Sequence, residues 1–158
     1  STQSTGNKYR LNVKQQQFTI PDKSVLTYVF KQIDTDKSNF LERTEINQAV
    51  SAFKINITQY QLDQILSIVD YHQDDRISIE EFEHFMYICL NMSDMNNILL
   101  LLFLAVDRKM RQVLDLNDLI KLFSITNKSI SESEAQEILQ LISENKSQLT
   151  YSQYIEMM

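Results

Sequence analysis

The twelve residues DTDKSNFLERTE, numbered 34 to 45, place an oxygen-bearing side chain at nearly every second position. These side chains belong to Asp34, Asp36, Ser38, Glu42 and Glu45. Carboxylates this close together repel one another, so the pattern is typical of a site in which a cation lies among them. Oxygen donors favour a hard ion such as Ca²⁺ over zinc or copper. The stretch therefore predicts a calcium-binding loop.

The spacing matches the loop of the EF-hand motif. That loop supplies ligands from positions 1, 3, 5, 7, 9 and 12, with a backbone carbonyl at 7 and a bidentate carboxylate at 12. The predicted ligands are Asp34, Asp36, Ser38, the carbonyl of Phe40, Glu42 and Glu45. Position 6, where glycine is usual, holds Asn39, and asparagine tolerates a left-handed backbone. The alternative is a polar loop between two helices that holds no metal.

The composition predicts an all-α fold. The 158 residues include one glycine and one proline, which disfavours tight β-turns and glycine-rich phosphate loops. Hydrophobic residues make up 43%, enough to form a core. The longest apolar run, ILLLLFLAV at 98–106, is too short to span a membrane. We therefore expect a cytoplasmic protein without stable membrane insertion, and the single Cys89 suits a reducing compartment.

Charge is distributed unevenly along the chain. Residues 1–20 carry three basic residues and no acid, whereas the whole chain has a net charge of −6. An acidic body argues against nucleic acid as a partner and favours cations or basic helices. Residues 1–18 are expected to form a basic flexible tail. Two histidines and one cysteine do not provide a nucleophile with its base and orienting group, so we expect no enzyme activity.

The calcium-loop pattern recurs along the chain. We number the loops 1 to 4: residues 34–45, 70–81, 107–118 and 143–153. Their first residues are Asp34, Asp70, Asp107 and Ser143, so successive starts are 36, 37 and 36 residues apart. Position 8 is apolar in all four, with Leu41, Ile77, Leu114 and, after a one-residue deletion in loop 4, Leu149. This pattern predicts that the loops pair in twos through short antiparallel bridges, first with second and third with fourth.

Signals for helix starts fall just before each unit. Capping-box spacings occur at Thr19 with Asp22, Thr58 with Gln61, and Ser131 with Glu134. For the third unit, the predicted cap is Ser93 or Asp94.

The repeats, the loop pairing and the ending YSQYIEMM resemble the calmodulin superfamily, which includes troponin C, centrins and myosin light chains. The resemblance covers residues 19–158. It implies two lobes of paired EF-hands, residues 19–92 and 93–158, joined by a linker around residues 91–97. It also implies a protein that is monomeric apart from its partner and that grips an amphipathic or IQ-like helix of that partner.

The four loops differ in their predicted ability to bind calcium. Loop 2 offers Asp70, His72, Asp74, the carbonyl of Arg76, Ser78 and Glu81. An imidazole is a poor calcium ligand, so the occupancy of loop 2 is left open, and a zinc site there lacks companion ligands.

Loops 3 and 4 have lost ligands. Loop 3 places Lys109 and Arg111 at ligand positions, where they repel a divalent ion and are free to pair with Asp107 and Asp118. Loop 4 has Gln153 where the closing carboxylate belongs. Calcium is therefore expected in the first lobe only, and the second lobe is expected to fold without it.

These features favour a non-enzymatic calcium sensor or adaptor. One alternative is a structural subunit of a motor or cytoskeletal assembly that resembles a light chain. Another is the regulatory segment of a calcium-dependent kinase, although no kinase motif occurs in the sequence.

Overall fold

The computed structural model of the protein describes residues 18–144 and 146–158. Eight helices account for most of these residues: α1 Lys23–Ile33, α2 Arg43–Ala52, α3 Gln59–Val69, α4 Ile79–Asn91, α5 Ile98–Val106, α6 Leu116–Ile125, α7 Glu132–Ile142 and α8 Tyr151–Met157. Two short strands, β1 Val113–Leu114 and β2 Leu149–Thr150, are the strands assigned in the described part. The mostly helical fold agrees with the composition. In the part of the chain that the structure describes, no helix is long and apolar enough to cross a membrane.

The loops pair as the repeats predict. Leu41 and Ile77 form an antiparallel bridge in which each backbone N–H donates to the other's carbonyl, at 2.8 and 2.9 Å. Leu114 lies opposite Leu149 in the antiparallel pair of β1 and β2. All four side chains are buried, so each bridge ties two loops together and contributes to the core.

Helix starts agree with the sequence in two of four units. Thr58 with Gln61 and Ser131 with Glu134 form the predicted capping boxes. Helix α1, however, is capped by Asp22, whose side chain accepts from the N–H groups of Ser24 and Val25. Helix α5 is capped by Asn97. The two wrong predictions chose a residue three or four positions too early, because more than one capping residue stands within five positions there and only the helix start selects among them.

The predicted separation into two lobes is not confirmed. Residues 92–97 do connect the first pair of units to the second, but α4 and α5 on either side of this connection pack against each other. Inside that contact, His84 Nε2 lies 2.8 Å from the carbonyl oxygen of Leu104, and the Tyr87 hydroxyl donates to Asp107 over 2.7 Å. One buried apolar cluster extends through both pairs. We call residues 18–92 the first half and residues 93–158 the second half.

The predicted basic tail lies almost wholly outside the described residues, which begin at Phe18. Phe18 itself, placed in that tail by the sequence, is only 6% exposed. Its ring packs against Phe103 and Tyr151, at centroid distances of 5.5 and 5.4 Å. Phe18 therefore belongs to the buried core.

Candidate calcium site

Loop 1 brings three carboxylates together. Asp34, Asp36 and Glu45 each offer an oxygen, and these atoms lie within 4.8 Å of one another. Among the described residues, this is the one group of three or more acidic, histidine or cysteine side chains that meets this distance. Asp34 follows α1 directly and Glu45 lies in the first turn of α2, so the two helices position the acids at opposite ends of the loop.

Backbone N–H groups hold the aspartates of loop 1 in place. The N–H of Ser38 lies 3.0 Å from an oxygen of Asp34 and 3.0 Å from an oxygen of Asp36, and Asn39 N–H donates to Asp34 over 2.9 Å. The side-chain hydroxyl of Ser38, followed by its backbone N–H, lowers the pKa of Asp36. For Asp36, this shift favours the ionised carboxylate that a cation requires.

The other predicted ligand residues of loop 1 lie close by and make local hydrogen bonds. Ser38 Oγ donates to the Phe40 carbonyl over 3.0 Å, and Glu42 N–H donates to Glu45 over 2.9 Å. Asn39 adopts φ 65°, the left-handed conformation expected of it at the turn. An all-oxygen donor set in this arrangement fits calcium.

Loop 2 has the same backbone course as loop 1, but its closing carboxylate, Glu81, makes additional contacts. Asp70 accepts from Asp75 N–H at 3.0 Å, while Glu81, fully buried, accepts from the N–H groups of Tyr71 and Ser78 at 2.6 and 3.0 Å. His72 Nδ1 lies 3.6 Å from Glu81 Oε2. The side chain of Arg76, whose carbonyl was the predicted ligand, lies 3.5 Å from Asp74 Oδ2. Glu81 caps its helix as Glu45 does, but it also accepts from Tyr71 N–H and lies beside the His72 imidazole.

Loop 3 contains its own cation. Nη2 of Arg111 lies 2.7 Å from Asp115 and 3.4 Å from Asp118. The sequence predicted the pair with Asp118, but Asp115 replaces Asp107 as the second partner. Asp107 is instead buried and accepts from the N–H groups of Arg111 and Gln112, each at 2.9 Å, as well as from Tyr87. A guanidinium therefore balances the acids of loop 3 without a metal.

Residues 23–87, which contain loops 1 and 2, match the protein family described as an EF-hand domain pair. These residues form two paired helix–loop–helix units, as an EF-hand domain pair does. With the relatives below, this match confirms the resemblance to the calmodulin superfamily, without choosing a member of it.

Three relatives cover most of the chain. "Probable calcium-binding protein CML13" of Oryza sativa subsp. japonica is 26% identical over 82% of this chain and 77% of its own length. "Myosin regulatory light chain" of Dictyostelium discoideum is 22% identical over 94% of this chain and 93% of its own length. "Probable calcium-binding protein CML8" of the same rice is 24% identical over 97% of this chain and 81% of its own length.

A solved structure titled "Redox protein from Chlamydomonas reinhardtii" aligns with 85% of this chain at 20% identity, with a TM-score of 0.35. The chain spans 47% of that structure's length.

Sequence reasoning missed the residues that join the two EF-hand pairs. Phe18, His84 and Tyr87 are buried at this joint, and each makes a polar or aromatic contact with the second half. A signal was present: His84 and Tyr87 are three residues apart on one face of α4, within residues 82–90, where every other residue except Glu83 is apolar. Polar atoms on such a face require a partner, which here comes from α5 and loop 3.

Proposed function

We propose that this chain is a non-enzymatic calcium sensor or adaptor that binds calcium in loop 1 and grips a helical segment of a partner protein. The observation that carries the proposal is the convergence of Asp34, Asp36 and Glu45. Around these three carboxylates, Ser38, the Phe40 carbonyl and Glu42 would complete the ligand set. The EF-hand match and the relatives named as calcium-binding proteins support this assignment.

Loop 1 is proposed as the tightest calcium site. In loop 2, calcium competes with the Tyr71 N–H group that is bonded to Glu81 and with the His72 imidazole beside it. In loop 3, it competes with the Arg111 guanidinium. Calcium is therefore confined to the first half in this proposal, as the EF-hand ligand pattern suggests.

The partner is proposed to be a basic amphipathic helix, because the protein is acidic overall and its relatives include a myosin regulatory light chain. That relative matches nearly end to end, so a structural light-chain role in a cytoskeletal assembly is the second candidate function. A cytoplasmic location suits both. The two differ in what calcium does: a sensor exposes apolar surface when it binds calcium, whereas a structural subunit does not.

Calorimetric titration of the full chain with calcium tests the proposed site. Glu45→Gln removes the closing carboxylate and should abolish the tightest binding event, expected at a Kd of about 10⁻⁷ to 10⁻⁵ M. Glu132→Gln is a matched control, since Glu132 is exposed on α7 and outside every loop.

Survival of the tightest event in Glu45→Gln, or its loss in Glu132→Gln, would contradict the assignment. Repeating the titration with an apolar dye separates the two functions. A rise in dye fluorescence with calcium supports the sensor, and calcium binding without that rise supports the light-chain role.

A further inference from the structure

The ring of Phe18 lies among aromatic rings from three helices. It lies in a recess formed by Tyr87 of α4, Phe103 of α5 and Tyr151 of α8, which we call the aromatic seat. The ring centroid of Phe18 is 6.3, 5.5 and 5.4 Å from these three rings in turn. Tyr87 and Phe103 are fully buried in this arrangement, so removing Phe18 would uncover apolar surface of both.

The chain around Phe18 is held by side chains and not by a helix or strand. Phe18 N–H donates to the side-chain oxygen of Gln112 over 2.9 Å. The backbone of Thr19 makes two bonds with the side-chain amide of Asn91, at 2.7 and 2.8 Å. Water can replace such bonds singly, so this segment can leave the seat without unfolding a helix.

Beyond the seat, the same helix faces stay open to solvent. Leu99 lies one helical turn before Phe103 and is 37% exposed, and Ile155 lies one turn after Tyr151 and is 38% exposed. The two helices meet there, because the hydroxyl of Tyr154 donates to the carbonyl of Leu99 over 2.7 Å. Phe18 thus covers one end of an apolar face whose other end, at Leu99 and Ile155, is partly exposed to solvent.

The charge around this face identifies the kind of partner. Residues 79–107, which include α4 and α5, contain no lysine or arginine, and neither do residues 149–158, which include α8. Two exposed acids are near this face in the sequence: Asp94 precedes α5, and Glu156 follows Ile155 on α8. Because α4, α5 and α8 bring no basic side chain to this apolar face, it is complementary to a helix with an apolar face and basic flanks.

We propose that Phe18 is a ligand of the protein's own aromatic seat, and that a basic amphipathic helix of a partner binds there by displacing it. The inference deepens the proposed function by naming where the partner helix binds and what competes with it. Because a fraction of molecules has the seat occupied at any moment, the apparent affinity for the partner is reduced by that fraction. Phe18 therefore raises the partner concentration that is needed for binding.

The test uses the full chain and a synthetic amphipathic helix of leucine and lysine that carries one tryptophan. The protein contains no tryptophan, so the fluorescence reports on the peptide alone. In a calcium chelator, Phe18→Ala should raise peptide affinity about tenfold, because the competing aromatic contacts are lost. Phe18→Leu keeps an apolar side chain and should stay within about threefold of the wild type.

Two further variants test whether the change in peptide affinity arises at this apolar face. Tyr60→Ala, on a 71% exposed tyrosine of α3, should leave the affinity unchanged. Leu99→Asp, added to Phe18→Ala, should abolish the gain in peptide affinity, because it places an acid in the partly exposed end of the apolar face.

The proposal is overturned if Phe18→Ala, with wild-type helix content by circular dichroism, binds the peptide no more tightly than the wild type. Persistence of the gain in the Leu99→Asp double variant also overturns it. Because the measurement is made in chelator, it is independent of loop 1. Failure of the Glu45→Gln titration would overturn the calcium site and leave this inference standing.

Discussion

His84 shows how one buried side chain connects the two halves. Its Nε2 donates to the Leu104 carbonyl, while its Nδ1 faces the hydroxyl of Tyr71. These two bonds suit a neutral ring that carries its proton on Nε2, an assignment made from the hydrogen-bond network. Burial lowers the pKa of His84 to about 4; the bond to Leu104 opposes this shift, and the charges of Arg108 and Lys121 add to it. The ring is thus a neutral connector between α4 and α5.

This pKa predicts a loss of stability in acid. Between the ordinary pKa of 6.5 and the folded value of about 4, the unfolded chain binds a proton that the folded chain does not. The free energy of unfolding therefore falls as the pH falls through this window, by up to about 3 kcal/mol. Urea unfolding at about pH 7 and about pH 4.5 measures the change, and His84→Gln should remove this part of it. His72→Gln, at an exposed histidine of loop 2, should retain it; equal pH dependence in wild type and His84→Gln would contradict the prediction.

At the scale of the element, loop 3 has the same backbone conformation as loop 1, although basic residues stand at two of its ligand positions. In loop 1, positions 4 and 6 have φ values of 56° and 65°, at Lys37 and Asn39. In loop 3, the same positions have 54° and 65°, at Met110 and Gln112. Left-handed backbone at non-glycine residues costs free energy, so something must stabilise it. In loop 3, the Arg111 ion pairs and the buried carboxylate of Asp107 do so.

Restoring the ligands should therefore restore a metal site. The double substitution Lys109→Asp and Arg111→Asp places acids at positions 3 and 5 of a loop whose positions 1, 9 and 12 are already acidic. Five clustered acids without the guanidinium repel one another until a cation binds. Calorimetry should show one calcium-binding event more than in the wild type. Lys128→Asp with Lys146→Asp is a control with the same charge change outside loop 3, and it should add no binding event. If the loop 3 double variant shows the same number of events as the wild type, the prediction is wrong.

At the scale of the whole molecule, the joint between the halves decides how the protein unfolds. The buried cluster runs from α1 through α4 and α5 to α8, and polar bonds from His84 and Tyr87 cross the joint. Two halves that share a core of this kind are expected to unfold together, because exposing one half uncovers apolar surface of the other.

We predict a single urea transition for the wild type, with the same midpoint by far-UV circular dichroism and by tyrosine fluorescence. Tyr87→Ala removes both the aromatic contact to Phe18 and the bond to Asp107, and should split the transition or separate the two midpoints. Tyr28→Ala, at an exposed tyrosine of α1, is the control and should keep one transition. Two separate transitions in the wild type would show that the halves are independent.

Local patterns in the sequence were enough to predict the units and their pairing. The oxygen spacing of loop 1, the regular intervals between loops and the apolar position 8 each act within a few residues or within one repeat. The bridges Leu41 with Ile77 and Leu114 with Leu149 followed from them, as did the left-handed turn at Asn39. Short-range hydrogen bonds and side-chain chemistry determine such features, and both can be read along the chain.

Only the tertiary structure decided how the units meet. Asp107 accepts a hydrogen bond from Tyr87, and Arg111 pairs with Asp115 instead. Phe18 belongs to the core and not to a tail. Both outcomes depend on contacts between residues that are far apart in the sequence. Phe18 contacts Phe103 and Tyr151 across most of the chain, and no local pattern distinguishes a buried phenylalanine from an exposed one. The sequence by itself determined the four helix–loop–helix units, whereas long-range packing decided that α4 and α5 join them around one core, since burial depends on what the fold places nearby.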